Sequence, residues 1–384
     1  MIYLDNAATS WPKPSTVSEA MKQFLETSAG NPGRSGHRLS LAAGRVLYDL
    51  REALAEFFGL EDPLRLVFTS GVTESVNIVL HGMLKPGDHV VTSSIEHNSI
   101  MRPLRSLEEK GIRLTVVPCG ADGSLDPHDI ESSLCSETRL VVLTHASNVC
   151  GTILPVAEVG AITRRNGILL LVDAAQTAGM LPVDMTSMNI DLLAFSGHKG
   201  LLGPTGTGGL AIGERVDVSE IRSQRQGGTG SRSEDESQPE FLPDKFESGT
   251  PNSVGLAGLM ASLEYLQHSE NGYLRQHDKR LTSQMLEGLR TIKGLRLFGP
   301  GDPEQQIGVV SFTLDGFHVS DVAAQLDEEH EILCRPGLHC SPAAHRTLGT
   351  SPAGTVRLSP GPFTTSRDID KTLNALANLA RTQK

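Results

Sequence analysis

The sequence has no excess of positive charge, no long apolar run and no paired cysteines, and each shortage excludes a class of protein. Lys and Arg number 34 against 45 Asp and Glu, a net charge of −11. Sequence-independent attraction to nucleic acid or to an anionic membrane surface needs the opposite balance. The longest apolar run, GILLLV over 167–172, falls far short of the ~20 residues that span a bilayer. Five cysteines in 384 residues (Cys119, Cys135, Cys150, Cys334 and Cys340) are too few for a disulfide framework. None stands in a CxxC pair, the common spacing of a structural zinc site, so no metal is expected. The opening, MIYLDNAAT, lacks the basic-then-apolar pattern of a secretory leader, which makes the cytoplasm the expected location.

What the sequence does contain is an alternation. RLVFTS (65–70), HVVTSS (89–94), RLTVVP (113–118), RLVVLTHAS (139–147), ILLLVDAA (168–175), DLLAFSG (191–197) and GGLAIG (208–213) are short and rich in Val, Ile and Leu. They do not alternate apolar with polar, the pattern of strands buried on both faces of a sheet. Amphipathic stretches such as TESVNIVLHGML and VAEVGAITRRNG lie between them. Strands separated by helices predict an α/β fold with a mostly parallel, seven-stranded sheet covered on both sides. The polar, Gly-rich segment 223–245 predicts a long exposed loop. Beyond it the sequence predicts helices over 254–267, 273–289, 319–330 and 366–380, with strands at LRLFG and IGVVSFTL. This reads as a smaller α+β domain. The expected division is a large domain over 16–260 and a small one formed by 1–15 and 261–384.

Ligands of an open α/β sheet collect at the carboxyl ends of its strands, which directs attention to the polar residues just past each one. GVTES follows the first strand and offers Thr73 at a helix start, where backbone N–H groups attract phosphate. A helix cap is an equal reading of Thr73 taken alone. His97 follows the second strand, in IEHNS, and a lone histidine there is commonly structural. Asn148 follows RLVVLTHAS. Asp173 and Gln176 close the apolar strand ILLLV, where a carboxylate is costly unless a cation meets it. Ser196, His198 and Lys199 follow DLLAFSG, and desolvation lowers a lysine's pKa toward the nucleophilic free amine. Together these residues assemble an amine, a carboxylate, an imidazole and a phosphate cradle, which are the requirements of pyridoxal phosphate. A GxGxxG after a first strand and a GxxxxGK[ST] are both absent, against dinucleotide and P-loop readings.

Eight ordered motifs, LDNAAT, GVTES, EHNS, SNVCGT, VDAAQ, FSGHKGLLGPTG, SGTPN and RPGLHC, resemble those of the class V aminotransferase-type cysteine desulfurase and selenocysteine lyase family. The resemblance runs from Tyr3 to about Ile369 and implies a fold-type I pyridoxal-phosphate enzyme. It implies that Lys199 binds the cofactor covalently, Asp173 pairs with its pyridine nitrogen, Gln176 donates to its ring oxygen and His97 stacks on its ring. Thr73, Ser196 and His198 would hold the phosphate, joined by Thr250 from the neighbouring subunit of a homodimer. Arg357 would grip the substrate carboxylate, and Asn148 and His37 would line the substrate site. Thr250 read alone, in SGTPN, belongs to an ordinary loop ahead of a helix.

Cys340 is the candidate nucleophile. A thiol with an unperturbed pKa of ~8.5 needs a positive or polar setting to attack as thiolate, and Arg335 and His339 stand close by in RPGLHC. A small buried hydrophobe is the other reading of a cysteine. The short lobe from Cys340 to Arg357 resembles the group II branch, whose motif is RxGHHCA; this chain departs from it at Leu338 and Ser341. The expected reaction converts L-cysteine to L-alanine with a persulfide on Cys340, passed to a sulfur-acceptor protein. L-selenocysteine lysis, a transaminase or epimerase activity, and a non-catalytic scaffold are the alternatives. Cys150, beside Asn148, and Cys334 are the competing thiols.

Overall fold

A computed structural model describes residues 1–33, 35–232, 234–268 and 273–381. A two-residue strand, β1 (Ile2–Tyr3), and two helices, α1 (Ser15–Thr27) and α2 (Arg38–Phe57), open the chain. The central region follows as β2 (Leu66–Thr69), α3 (Val72–Met83), β3 (His89–Ser93), α4 (Asn98–Glu108), β4 (Arg113–Val117) and α5 (Pro127–Ser132). It continues through β5 (Thr138–Thr144), α6 (Val156–Arg165), β6 (Leu169–Asp173), β7 (Leu192–Ser196) and β8 (Gly208–Ile212). These seven strands form one sheet in the order β2-β8-β7-β6-β5-β3-β4. Only β8 runs against its neighbours, and every other pairing is parallel.

Successive residues of β5 show why the strands read as unbroken apolar runs. Val141 and Leu143 point into a core with Leu47, Leu50 and Leu54 of α2. Leu140 and Val142 point into a second core with Val76, Val79 and Leu80 of α3. Both faces are dry, so both sets of positions must be apolar. Each such side chain contributes about 1.5–3 kcal/mol by leaving water.

Past β8 the described residues between 221 and 252 contain no helix or strand, in agreement with the expected loop; Ser233 of that loop lies outside the described residues. Then come α7 (Ser253–His268), α8 (Tyr273–Arg290), β9 (Leu295–Phe298), β10 (Val310–Leu314), α9 (Val319–His330), β11 (Ile332–Leu333) and β12 (Arg335–Gly337). The chain closes with α10 (Pro342–Thr347), β13 (Thr355–Leu358) and α11 (Ser366–Arg381). β12, β13, β10 and β9 form a four-stranded antiparallel sheet, and β1 pairs with β11. Ile2 and Leu4 pack in one core with Leu281, Phe312, Leu358 and Leu376, which joins the first residues of the chain to its last third. The central sheet thereby gains a neighbour at its carboxyl edge. Among the described residues no helix is long and apolar enough to cross a membrane.

Candidate active site

The parallel register brings the strand ends level: Thr144 of β5 is paired with Asp173 of β6, and Asp173 with Ala194 of β7. Just beyond them lies a cavity of about 250 Å³. Thr73, His97, Asn148, Asp173, Gln176, Ser196, His198 and Lys199 line it from the central sheet, and Arg335, His339 and Arg357 from the smaller one. Residues scattered over 285 positions of sequence thus meet in one space.

Two groups of lining residues differ in charge. The chain leaves β2 through Gly71, whose φ of 141° suits only glycine, and enters α3. The Val72 N–H donates to Ser196 Oγ at 3.2 Å, so the first turn of α3 faces Ser196 beside Thr73 and His198. A helix N-terminus with hydroxyls and an imidazole attracts an anion. Asp173 is buried; its Oδ1 accepts from the Ala175 N–H at 2.8 Å and its Oδ2 from Ser99 Oγ at 3.3 Å. Burial raises its pKa, while those hydrogen bonds and Lys199 act to keep it ionised.

Lys199 is the cation that an apolar strand ending in a carboxylate requires. Burial lowers its pKa to about 8, with Asp173 opposing the shift and Arg357 and Arg335 adding to it. His97 caps α4, with Nδ1 accepting from the Ser99 N–H at 3.0 Å. Its pKa falls to about 4 through burial, then through Lys199, Arg335, Arg102 and Arg357. His198 falls to about 4 for the same first reason, with Lys199 and Lys13 beside it. Both rings are therefore neutral near pH 7, and a neutral ring stacks without adding charge.

Arg357 is nearly inaccessible and is fixed by Asp5 Oδ1 at 2.5 Å and the Asn148 carbonyl at 3.0 Å. Among the described residues its buried Nε has no partner. A buried guanidinium with a spare donor, on the wall of a polar cavity, is suited to a carboxylate. Asn148 bridges to the cysteine loop, donating to the His339 carbonyl at 2.7 Å and accepting from Ser341 Oγ at 2.7 Å.

Cys340 is exposed and follows His339, which lines this space. Arg335 Nη2 lies 3.5 Å from its sulfur. His339 and Cys340 are both left-handed, with φ of 47° and 59°, and the Asn98 N–H holds the Cys340 carbonyl at 2.9 Å. His339 does not supply the positive setting the sequence suggested. It is buried against His345 and Thr355, and desolvation lowers its pKa to about 2, so it stays neutral.

Two expected residues lie elsewhere. His37 is exposed and caps α2, accepting from the Ser40 N–H. Thr250 is exposed on a second, open cavity of about 440 Å³ with Tyr48, Arg225 and Asn252. Gln176 lines the first cavity, but its amide nitrogen donates to the Ala7 carbonyl at 3.0 Å. Of the competing thiols, Cys150 is fully buried with Sγ 3.0 Å from Thr152 Oγ1, and Cys334 is half-buried, its pKa pushed up to about 12 by desolvation. Sequence reasoning missed Asp5, Ser99 and Thr144, although LDNAAT and EHNS contain the first two.

A profile of the family described as Aminotransferase class-V matches residues 2–372. The chain belongs to that family. Within it, a probable cysteine desulfurase of Methanothermobacter thermautotrophicus is 37% identical, the match covering 98% of this chain and 95% of the relative. A cysteine desulfurase of Escherichia coli O157:H7 is 32% identical over 99% and 94%. The apo structure of a cysteine desulfurase from Thermococcus onnurineus superposes with a TM-score of 0.92 at 35% identity, covering 99% of this chain and 95% of that one. That of an Escherichia coli cysteine desulfurase gives 0.87 at 31%, covering 99% and 94%. The class-V chain accordingly has the expected α/β fold, with its mostly parallel central sheet.

Proposed function

We propose that this chain is a pyridoxal-phosphate-dependent cysteine desulfurase that converts L-cysteine to L-alanine and leaves a persulfide on Cys340. The observation that carries this reading is the meeting, in one cavity, of Lys199, Asp173, His97 and the α3 anion cradle with Arg335, whose Nη2 lies 3.5 Å from the Cys340 sulfur. The donor set suits the cofactor: an anion site of Thr73, Ser196 and His198, a carboxylate in Asp173, a neutral ring in His97, and an amine in Lys199. When bound, the cofactor supplies a ring that accepts carbanion electrons.

The chain's own residues do the rest. Lys199 anchors the cofactor and, when free, takes the proton from the substrate α-carbon; a pKa of about 8 leaves it partly unprotonated near neutrality. Arg357 grips the substrate carboxylate beside Asn148. The Cys340 thiolate attacks the substrate sulfur, so the carbon–sulfur bond breaks as the sulfur–sulfur bond forms. Cysteine and one enzyme thiol become alanine and one enzyme persulfide, and the atoms balance. The left-handed turn at His339 and Cys340 aims the thiol, where orientation can remove several kcal/mol of barrier.

The working unit in this reading is a homodimer. Thr250 is exposed, outside the cavity of its own chain, which is where a residue serving a neighbouring subunit must be. The sulfur then passes to an acceptor protein. Addition of pyridoxal phosphate to the apoprotein should give a visible absorbance that Lys199→Ala abolishes while remaining folded. A folded Lys199→Ala variant with unchanged absorbance would remove the reading.

A further inference from the structure

Glu96, the residue before His97, is a completely buried carboxyl with no assigned role. Its Oε1 lies 2.5 Å from Ser93 Oγ at the end of β3, and its Oε2 accepts from the Thr144 N–H of β5 at 2.8 Å. Thr144 is paired in register with Asp173. One side chain therefore ties together the strand ends that carry His97 and Asp173. Among the described residues it has no ion-pair partner. The titratable groups that bear on it are Asp173 from β6 and the Cys119 thiol after β4.

Two buried carboxyls share this corner, and a cation faces only one of them, Lys199 toward Asp173. Like charges in a dry site cannot both be carried cheaply. We propose that Glu96 is a positioning residue that stays protonated, holding the ends of β3 and β5 together and leaving Asp173 as the sole anion behind the cavity. Oε2 accepts from the Thr144 N–H, and Ser93 Oγ, 2.5 Å away, is the oxygen that a proton on Oε1 meets. Burial raises the Glu96 pKa to about 8 and Asp173 adds to the rise, against the hydrogen bonds from Ser93 and Thr144. A second anion here would raise the proton affinity of Asp173, so the neutral acid protects its charge. That consequence rests on the cofactor reading; the protonation state does not.

The test uses the full-length apoprotein and its Glu96→Gln and Glu96→Ala variants. At pH 7 the wild type should show the infrared carbonyl band of a buried protonated acid, absent from Glu96→Gln. A pKa raised on folding makes stability fall as pH climbs from the unfolded value toward the folded one. The wild-type melting temperature should therefore drop relative to Glu96→Gln between about pH 5 and 8 and level off above. Glu96→Gln keeps both hydrogen bonds, so its pyridoxal-phosphate affinity should stay within about twofold of wild type, whereas Glu96→Ala should lose about tenfold. If Glu96→Gln fails to fold, the wild-type band should still vanish on raising the pH from about 7 to 10. Lack of the band in wild type at pH 7, or a melting difference constant from pH 5 to 8, would overturn the proposal. Failure of wild type to bind the cofactor would instead refute the proposed function and leave the infrared result standing.

Discussion

At the scale of single residues, the chemistry depends on which groups keep their charge. Lys199 loses its proton more easily than an ordinary lysine because its surroundings are poor in water. With a pKa of about 8, its free-amine fraction grows from about a tenth at pH 7 to about nine-tenths at pH 9. The rate at which apoprotein takes up pyridoxal phosphate should rise accordingly, and stopped-flow absorbance across that range checks it; a flat profile would contradict the assignment. Asp173 must stay ionised against its burial. Asp173→Ala should depress alanine formation at least tenfold to a hundredfold, the value of one charge-assisted contact of about 1.5–3 kcal/mol. Near-normal alanine release from that variant would exclude the role.

At the scale of elements, the seven strands of the central sheet were legible because two dry faces demand unbroken apolar runs. The polar residues at their ends were legible because such a residue closing an apolar strand needs a partner. Less was written in α1 and α2, whose apolar residues mark a face without naming what it packs on. Asp5 and Glu96 escaped notice for a related reason: their roles exist only where β13 reaches the N-terminal segment and where β3 meets β5. Thr73 shows the limit of local reading, since cap and anion ligand look alike until Ser196 is brought against α3. The turn into α3 also gives a prediction. A Cβ on Gly71 would lie 3.2 Å from Ser196 Oγ, at a φ that L-residues rarely adopt. Gly71→Ala should cost about 1 kcal/mol or more and weaken cofactor binding, as melting and absorbance titration would report. For α4, His97→Asn should keep the cap and its ~1 kcal/mol while His97→Ala loses it, yet both should lose the stacked ring. Equal melting temperatures for the two variants would argue against the cap.

At the scale of the whole molecule, two subunits should share each site through Thr250. Mixing Lys199→Ala subunits with subunits carrying a bulky Thr250 substitution should restore part of the alanine release once subunits exchange. In a mixed dimer one site then carries both lesions and the other neither. A mixture that stays inactive would point to sites built within one chain. The central claim, however, concerns Cys340, because the same cavity without a working thiol would serve a transaminase or epimerase equally well. Supplying L-cysteine with labelled sulfur and mapping the label by peptide mass decides it. The account predicts about one labelled sulfur per subunit on Cys340, with alanine released in equal amount and neither product from Cys340→Ser. Label on Cys150 or Cys334, or full alanine release from Cys340→Ser, would contradict it.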